Sequence, residues 1–233
     1  QPLDDTFAVN DAIDAEHAAK VRKLLDGATR YLLTQRDADG AWSMNYEGQQ
    51  LYQPALTAMV IKPILADPRF DIDSPVVAEA YDVLLSYQKD NGGIYEMDKG
   101  NYSTSLAVMA LAPAAAADAQ YQPALDKAVG YLRGCQINVG DITPSGDPVE
   151  AEHPYQGGVS YGDHNRPDLS NVSMWMQAMH DAGVESDDPA MQNALAFVSR
   201  TQNSSETNTM AWAIGGPNDA GMIYAPDDGL GQG

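Results

Sequence analysis

The sequence predicts an all-α fold built from repeated helical hairpins, and three observations support this prediction. A helix-ending motif occurs four times, a glycine-aromatic turn follows each copy, and the apolar-polar alternation of β-strands is almost absent. The 233 residues are enough for one domain with a substantial core. We therefore expect a single domain over residues 1–233 with four repeats.

The helix-ending motif consists of an aromatic or β-branched residue, an aliphatic residue, three variable positions and a long polar side chain. Its four copies end at Arg36, Gln88, Gln136 and Gln202. These residues lie 52, 48 and 66 positions apart. Repetition at this period is typical of architectures in which each unit packs on its neighbours.

A glycine-aromatic turn is expected after each copy. Asp39-Gly40-Ala41-Trp42 follows the first copy, and Asn91-Gly92-Gly93-Ile94-Tyr95 follows the second. Gly157 to Tyr161 and Gly221 to Tyr224 are the corresponding segments after insertions. Asn or Asp before glycine indicates the end of a helix, because glycine readily adopts a positive φ.

About seven helices follow from the caps and the periodicity. They are predicted at 12–35, 50–66, 75–89, 103–117, 122–136, 169–182 and 188–202. The helices at 103–117 and 169–182 are apolar on nearly all sides, which indicates burial. The fourth repeat stops before a second helix, so we expect a downstream segment or a partner to cover its apolar face.

Composition excludes several classes of function. The chain has 13 Lys and Arg against 33 Asp and Glu, a net charge of −20, which disfavours nucleic acid and anionic membranes as partners. No apolar run is long enough to span a membrane. The single cysteine, Cys135, excludes an intramolecular disulfide and is expected to be a buried core residue. The chain begins at Gln1 without a methionine, which is typical of a mature exported protein, so we expect a periplasmic or extracellular location.

These motifs resemble those of the squalene-cyclase and prenyltransferase repeat family. Tyr31-Leu32 through Gly40-Ala41-Trp42 is similar to the QW repeat of the cyclases, with Arg36 at the position of the glutamine. The segment from Gly92 to Leu111 resembles the repeats of prenyltransferase β subunits, and Asn218 to Pro226 resembles a segment of bacterial secreted members. The resemblance implies an α/α toroid, here an incomplete barrel of the α6/α6 type with inner and outer helices.

The catalytic motifs that the resemblance would imply are missing. The acidic segments at 71–74 and 37–40 lack the third acid of the cyclase Asp-x-Asp-Asp motif. Cys135 lacks the Asp-x-Cys context of the prenyltransferase zinc site, and the thioester motif of complement-type relatives is absent. We therefore predict no cofactor and no metal, and whether the protein is an enzyme is left open.

A polar cluster from Tyr161 to Asp168 precedes a predicted buried helix and is the candidate site. Asp163, His164 and Asp168 suit a metal, or His164 suits a general base oriented by Asp163. The alternative is a plain loop in which Asp168 or Ser170 caps the helix. The predicted ligand-binding residues are Tyr102, Tyr161, Asp163, His164, Asp168 and Trp175.

The first functional hypothesis is an exported toroid that binds a partner protein or a hydrophobic small molecule. The second is an isoprenoid-processing enzyme whose catalytic residues lie in downstream sequence. A third is a polysaccharide-active enzyme in which Asp163 and Asp168 perform acid-base catalysis.

Overall fold

The computed structural model of the chain describes residues 14–97, 99–162, 166–216 and 218–226. These residues contain eight α-helices, one short 3-10 helix and one two-stranded hairpin, which confirms the prediction of a mostly helical protein. The chain divides into two compact units, Gln1–Tyr87 and Gln88–Gly233. The single domain and the toroid stay predictions. Within the described residues, no helix is both long and apolar enough to cross a membrane.

The first unit contains three helices and the hairpin. They are α1 (Ala15–Thr34), β1 (Met44–Tyr46), β2 (Gln49–Leu51), α2 (Gln53–Leu65) and α3 (Pro75–Ser86). The prediction of a helix from residue 50 was wrong for its first residues, because β1 and β2 form an antiparallel hairpin there. Glu47 and Gly48 have φ of 50° and 82°, which is the backbone of a tight hairpin turn.

Helix α1 is joined to the loop between α2 and α3 by a buried carboxylate and two partly buried charged partners. The Asp67 carboxylate is buried, accepts a hydrogen bond from Arg69 Nε at 2.9 Å, and accepts another from Thr29 Oγ1 at 3.2 Å. Arg69 also donates to Asp26 Oδ1 at 2.7 Å. A buried carboxylate needs such partners, because leaving it unpaired costs several kcal/mol, on the order of 3–5.

The second unit is built around α4. Its helices are α4 (Gly100–Ala117), the 3-10 helix (Ala119–Tyr121), α5 (Gln122–Gly134), α6 (Leu169–Asp181), α7 (Pro189–Arg200) and α8 (Ala211–Ile214). Helix α4 packs on α5 and α6, and every residue from Ser103 to Leu111 is buried. The predicted burial of this helix is confirmed. The helix α8 and the start of α4 at Gly100 were not predicted.

The four polar residues of the repeated motif, here called the bridging residues, share one contact. Each side chain donates a hydrogen bond to a backbone carbonyl of its own glycine turn. The bonds are Arg36 Nε to Gly40 O (2.8 Å), Gln88 Nε2 to Gly92 O (3.2 Å), Gln136 Nε2 to Gly157 O (3.1 Å) and Gln202 Nε2 to Ala220 O (3.4 Å). The motif therefore identifies structurally equivalent positions in all four copies.

The first three bridging residues make a second contact, which skips one α-helix along the chain and reaches the start of the one after it. The bonds are Arg36 Nη2 to Val76 O (3.3 Å), Gln88 Nε2 to Ala124 O (2.9 Å) and Gln136 Nε2 to Ala190 O (2.8 Å). Each acceptor directly follows a proline in the first turn of α3, α5 or α7. Each side chain thus joins the glycine turn that follows it to the first turn of α3, α5 or α7.

Two of the glycines have both a conformational and a spatial requirement. Gly92 and Gly157 have φ of 90° and 80°, in the left-handed region. A Cβ at Gly92 would overlap Lys127 O in α5, and one at Gly157 would overlap Asn193 O in α7. Any other residue at these positions would push α5 or α7 away.

We predict that Gln136→Ala lowers the free energy of unfolding by about 2–3 kcal/mol, because it removes two hydrogen bonds from a buried amide. Urea denaturation followed by circular dichroism measures the change. Gln177→Ala is the matched control, since Gln177 is exposed on α6 and donates only to Asp181. Equal losses in the two variants would contradict a bridging role.

We predict that Asp67 makes the stability of the first unit sensitive to acid. Burial by itself would raise the pKa of Asp67, but the hydrogen bonds from Arg69 outweigh it and hold the pKa below its ordinary value of 3.8. Because the pKa of Asp67 is lower in the folded than in the unfolded protein, its ionisation stabilises the fold at pH values above the ordinary pKa. This stabilisation is lost as the pH falls through the folded-state pKa.

The measurement compares urea unfolding of the wild type and Asp67→Asn between pH 7 and pH 2.5. We expect the free energy of unfolding of the wild type to exceed that of Asp67→Asn by about 2 kcal/mol at pH 7. This difference should shrink as the pH falls below 3.8. Asp82→Asn, at an exposed position of α3, controls for removing a surface carboxylate. A difference that stays constant over the whole range would refute the assignment.

Candidate functional site

Two glycine-aromatic segments of the second unit reach over the beginnings of α4 and α6. Tyr161 O accepts a hydrogen bond from Asn101 N at 2.8 Å, and Tyr224 O accepts one from Leu169 N at 2.9 Å. Helix N-termini leave backbone N–H groups without partners inside the helix. The carbonyl of Tyr161 serves one of these groups in α4, where the side chain of the N-cap residue Lys99 does not cap the helix.

A buried amide network lies beneath these segments. Asn101 Nδ2 donates to Asn171 Oδ1 at 3.0 Å, and Asn171 Nδ2 donates to Asp168 Oδ2 at 2.8 Å. Ser105 Oγ donates to Asn101 Oδ1 at 3.3 Å. All four side chains are buried, so the network joins the first turns of α4 and α6 rigidly.

The tyrosine rings above the network are open to solvent. Tyr161 is 39% exposed and Tyr224 is 48% exposed. Partial burial, the Asp168 carboxylate and Tyr161 raise the pKa of Tyr224. Lys99 Nζ lies 5.7 Å from the centre of the Tyr161 ring, within the range of a cation–π contact. We call Tyr161, Tyr224 and Lys99 the aromatic surface.

Tyr131 on α5 packs against the first residue of α4, next to the aromatic surface. A Cβ at Gly100 would overlap Tyr131 Oη, so glycine is required for the hydroxyl to lie against the first residue of α4. The rings of Tyr131 and Tyr95 are 5.5 Å apart, an attractive tilted arrangement. Burial and the neighbouring Cys135 and Tyr95 raise the pKa of Tyr131, which keeps its hydroxyl protonated.

The structure brings together some of the predicted site residues. Tyr161 belongs to the aromatic surface, and Tyr102 is half-buried in the first turn of α4. Asp168 is the N-cap of α6, and both of its carboxylate oxygens accept hydrogen bonds from Asn171. These contacts agree with the alternative prediction that Asp168 caps the helix. Asp163 and His164 lie outside the described residues.

Trp175 lies in the core and not at a surface that a ligand could contact. Its side chain has no exposed surface, and its Nε1 donates to Leu132 O at 2.7 Å. The indole therefore joins α6 to α5 within the core. We leave Trp175 out of the proposed site, because a ligand cannot reach it without displacing this packing.

Sequence reasoning missed Asn101, Asn171 and Tyr224 as parts of the site. The sequence feature that could have identified the two asparagines is their position, each in the first turn of an otherwise apolar helix. Small polar residues there suggest capping alone, yet these two asparagines bind each other across 70 positions of sequence. Tyr224 was identified only as a turn residue.

The acidic segments considered as proton donors have structural contacts. The Ser74 hydroxyl donates to Asp71 Oδ1 at 2.7 Å, and hydrogen bonding by Ser74 lowers the pKa of Asp71. Asp39 Oδ2 accepts from Gln53 Nε2 at 2.7 Å, and its Oδ1 accepts from Ala41 N.

Within the described residues, no group of three or more His, Cys, Asp and Glu side chains is arranged to hold a metal ion. A comparison with models of protein families gives no match, and a comparison with curated proteins gives none either.

We predict that Cys135 is unreactive in the folded protein. The thiol is buried, and burial raises its pKa to about 11, although a hydrogen bond with Tyr131 acts in the opposite direction. At pH 8 about one thiol in a thousand is then ionised, and only the thiolate reacts. Labelling with a thiol-reactive disulfide dye should be negligible in buffer and complete in denaturing urea. Rapid labelling of the folded protein would contradict the packing of α5 against α4.

Proposed function

We propose that this chain is a helical-repeat protein of the α/α-toroid type that binds a partner protein through its aromatic surface. The observation that carries the proposal is the pair of exposed rings, Tyr161 and Tyr224, held over a rigid buried amide network. Tyrosine is enriched at the centres of protein interfaces, because its large ring loses little conformational entropy on binding.

The toroid part of the proposal is supported by the repeated contacts. Three helices begin with a proline-containing turn whose carbonyl is bound by the preceding bridging residue. The helix α4 is buried on most sides and contacts both α5 and α6, as an inner helix would. The resemblance to squalene-cyclase repeats, and to their bacterial secreted members, leads us to propose a periplasmic or extracellular location as well.

The chemistry of the surface favours binding over acid-base catalysis. The Asp168 carboxylate already accepts hydrogen bonds from both nitrogens of Asn171. An acid-base pair of the glycosidase kind needs carboxylates that can exchange protons with a substrate. The exposed groups of the aromatic surface are instead the rings of Tyr161 and Tyr224, which suit a protein partner.

A site-specific crosslinking experiment tests this proposal. A photo-reactive phenylalanine replaces Tyr161 or Tyr224 in the full chain, and the same residue at Tyr46 is the matched control, since Tyr46 is 60% exposed on the hairpin. After irradiation in an extract of the protein's own source, we expect one discrete protein adduct from positions 161 and 224 and none from 46. Native mass spectrometry of the purified protein should show the same partner mass.

Two results would contradict the proposal. One is a crosslinking pattern that is the same at 46 as at 161 and 224. The other is turnover of an isoprenoid substrate by the purified chain, which would favour the enzyme hypothesis. If the native mass spectrum shows a retained small hydrophobic molecule and no protein partner, the ligand is a small molecule and not a protein.

A further inference from the structure

The second glycine turn contains Asn91-Gly92, the only Asn-Gly pair in the sequence. In such a pair the backbone nitrogen of glycine can attack the side-chain carbonyl carbon of asparagine, because glycine has no side chain to hinder the approach. The new N–C bond closes a five-membered imide, and the amide nitrogen leaves with the displaced proton as ammonia. Water then opens the imide to aspartate or isoaspartate. Asn91 is exposed, so burial does not protect its amide from this reaction.

The attacking nitrogen, Gly92 N, is held by a hydrogen bond across the turn. It donates to Lys89 O at 2.8 Å, and Lys89 N donates to Gly93 O at 2.9 Å. Asn91 is the third residue of this turn and has a negative φ, so its ψ is about 0°, as in a type I turn. Closing the imide requires Gly92 N to rotate about the Cα–C bond of Asn91 until it eclipses Cβ. This rotation breaks the hydrogen bond to Lys89.

The side chain of Asn91 is held at both ends of its amide. Its Oδ1 accepts a hydrogen bond from Gly93 N at 3.0 Å, the contact of an Asx turn. Its Nδ2, which leaves as ammonia in the reaction, donates to Tyr95 Oη at 3.1 Å. The ring of Tyr95 is itself packed, with its centre 5.5 Å from that of Tyr131 and 4.7 Å from Lys89 Nζ. The amide is therefore exposed to water but is not free to rotate.

The packing of Gly92 opposes the same rotation. Gly92 is buried with φ of 90°, and a Cβ at this position would overlap Lys127 O in α5. Its carbonyl accepts a hydrogen bond from Gln88 Nε2 at 3.2 Å, and the same nitrogen binds Ala124 O in α5 at 2.9 Å. The imide can therefore form only after the turn has separated from α5.

The first and fourth turns show which product the fold can accept. Asp39 Oδ1 accepts a hydrogen bond from Ala41 N, and Asp219 Oδ1 accepts one from Gly221 N, as Asn91 Oδ1 does from Gly93 N. Aspartate at position 91 keeps this contact. Isoaspartate instead adds a carbon atom to the backbone, which displaces the glycine that packs on α5.

We propose that Asn91 is a deamidation site of this chain and that the closed second glycine turn prevents the reaction. Modification then takes place only from a state in which residues 88–93 have opened. Aspartate formed in this way is compatible with reclosing of the turn, and isoaspartate is not. The inference does not depend on the proposed binding function.

The rate of deamidation in the full chain tests the proposal. The chain is kept in mildly alkaline buffer, with and without denaturing urea, and peptide mass spectrometry follows the loss of Asn91. Since two hydrogen bonds hold Gly92 N and the Asn91 amide oxygen, we expect the loss to be about thirtyfold slower in the folded chain. The variant Asn91→Asp should unfold at the same urea concentration as the wild type.

A matched pair of variants separates opening of the turn from unfolding of the whole unit. Gln88→Ala and Gln136→Ala each remove hydrogen bonds to two carbonyls, but only Gln88 binds the second turn. We expect Gln88→Ala to accelerate the loss of Asn91 more than Gln136→Ala does, by about fivefold or more. A milder variant, Tyr95→Phe, keeps the ring and removes the hydroxyl that binds Asn91. It should accelerate the loss about fivefold, with an unchanged circular dichroism spectrum.

Two outcomes would overturn the proposal. One is an equal rate of loss in the folded and in the urea-unfolded wild type, which would show that the turn gives no protection. The other is equal acceleration by Gln88→Ala and Gln136→Ala together with no acceleration by Tyr95→Phe. That result would mean that Asn91 reacts only after the whole unit unfolds, and that the contacts of its own turn do not control the reaction.

Discussion

The hydrogen bonds of the bridging residues are the interaction on which the rest of the described structure depends. A helix end and the turn after it leave backbone carbonyls that need donors once they are buried. One long polar side chain supplies such a donor, and in three copies it also reaches the first turn of α3, α5 or α7. Arginine performs this role in the first copy and adds an ion pair with Glu79 at 2.8 Å. Because Arg and Gln both offer more than one N–H, either can bind two carbonyls at once.

The beginnings of the buried helices depend on the turns in the same way. Tyr161 O binds the first turn of α4, and Tyr224 O binds the first residue of α6. The segments that complete these helices are also the ones that carry the exposed tyrosines. The proposed aromatic surface is therefore held by the same backbone contacts that hold the fold, so its rings would need little rearrangement to bind a partner.

Much of the helical pattern could be predicted, and the candidate site only in part. Proline and Asp or Ser caps fixed the starts of α3 and α7 to within a residue, because those signals act locally. Tyr161 and Asp168 were predicted for the site and lie together in the structure. The pairing of Asn101 with Asn171 could not be predicted, since it joins two helices 70 positions apart. Trp175 was expected near a ligand, but its indole faces α5, and sequence does not specify which side of a buried helix meets which neighbour.

The sequence by itself determined the helical class, the repeat and the residues that bridge it, because these follow from local propensity and from a motif that recurs. It also determined that the chain is strongly acidic, with a net charge of −20. The tertiary structure alone decided which polar groups are already bound and which are open. Asp168 is occupied by Asn171, and the amide of Gln136 is occupied by carbonyls of its own turn and of α7. The reason is physical: a hydrogen-bond donor is available to a partner only if no carbonyl from a distant part of the chain has been folded against it.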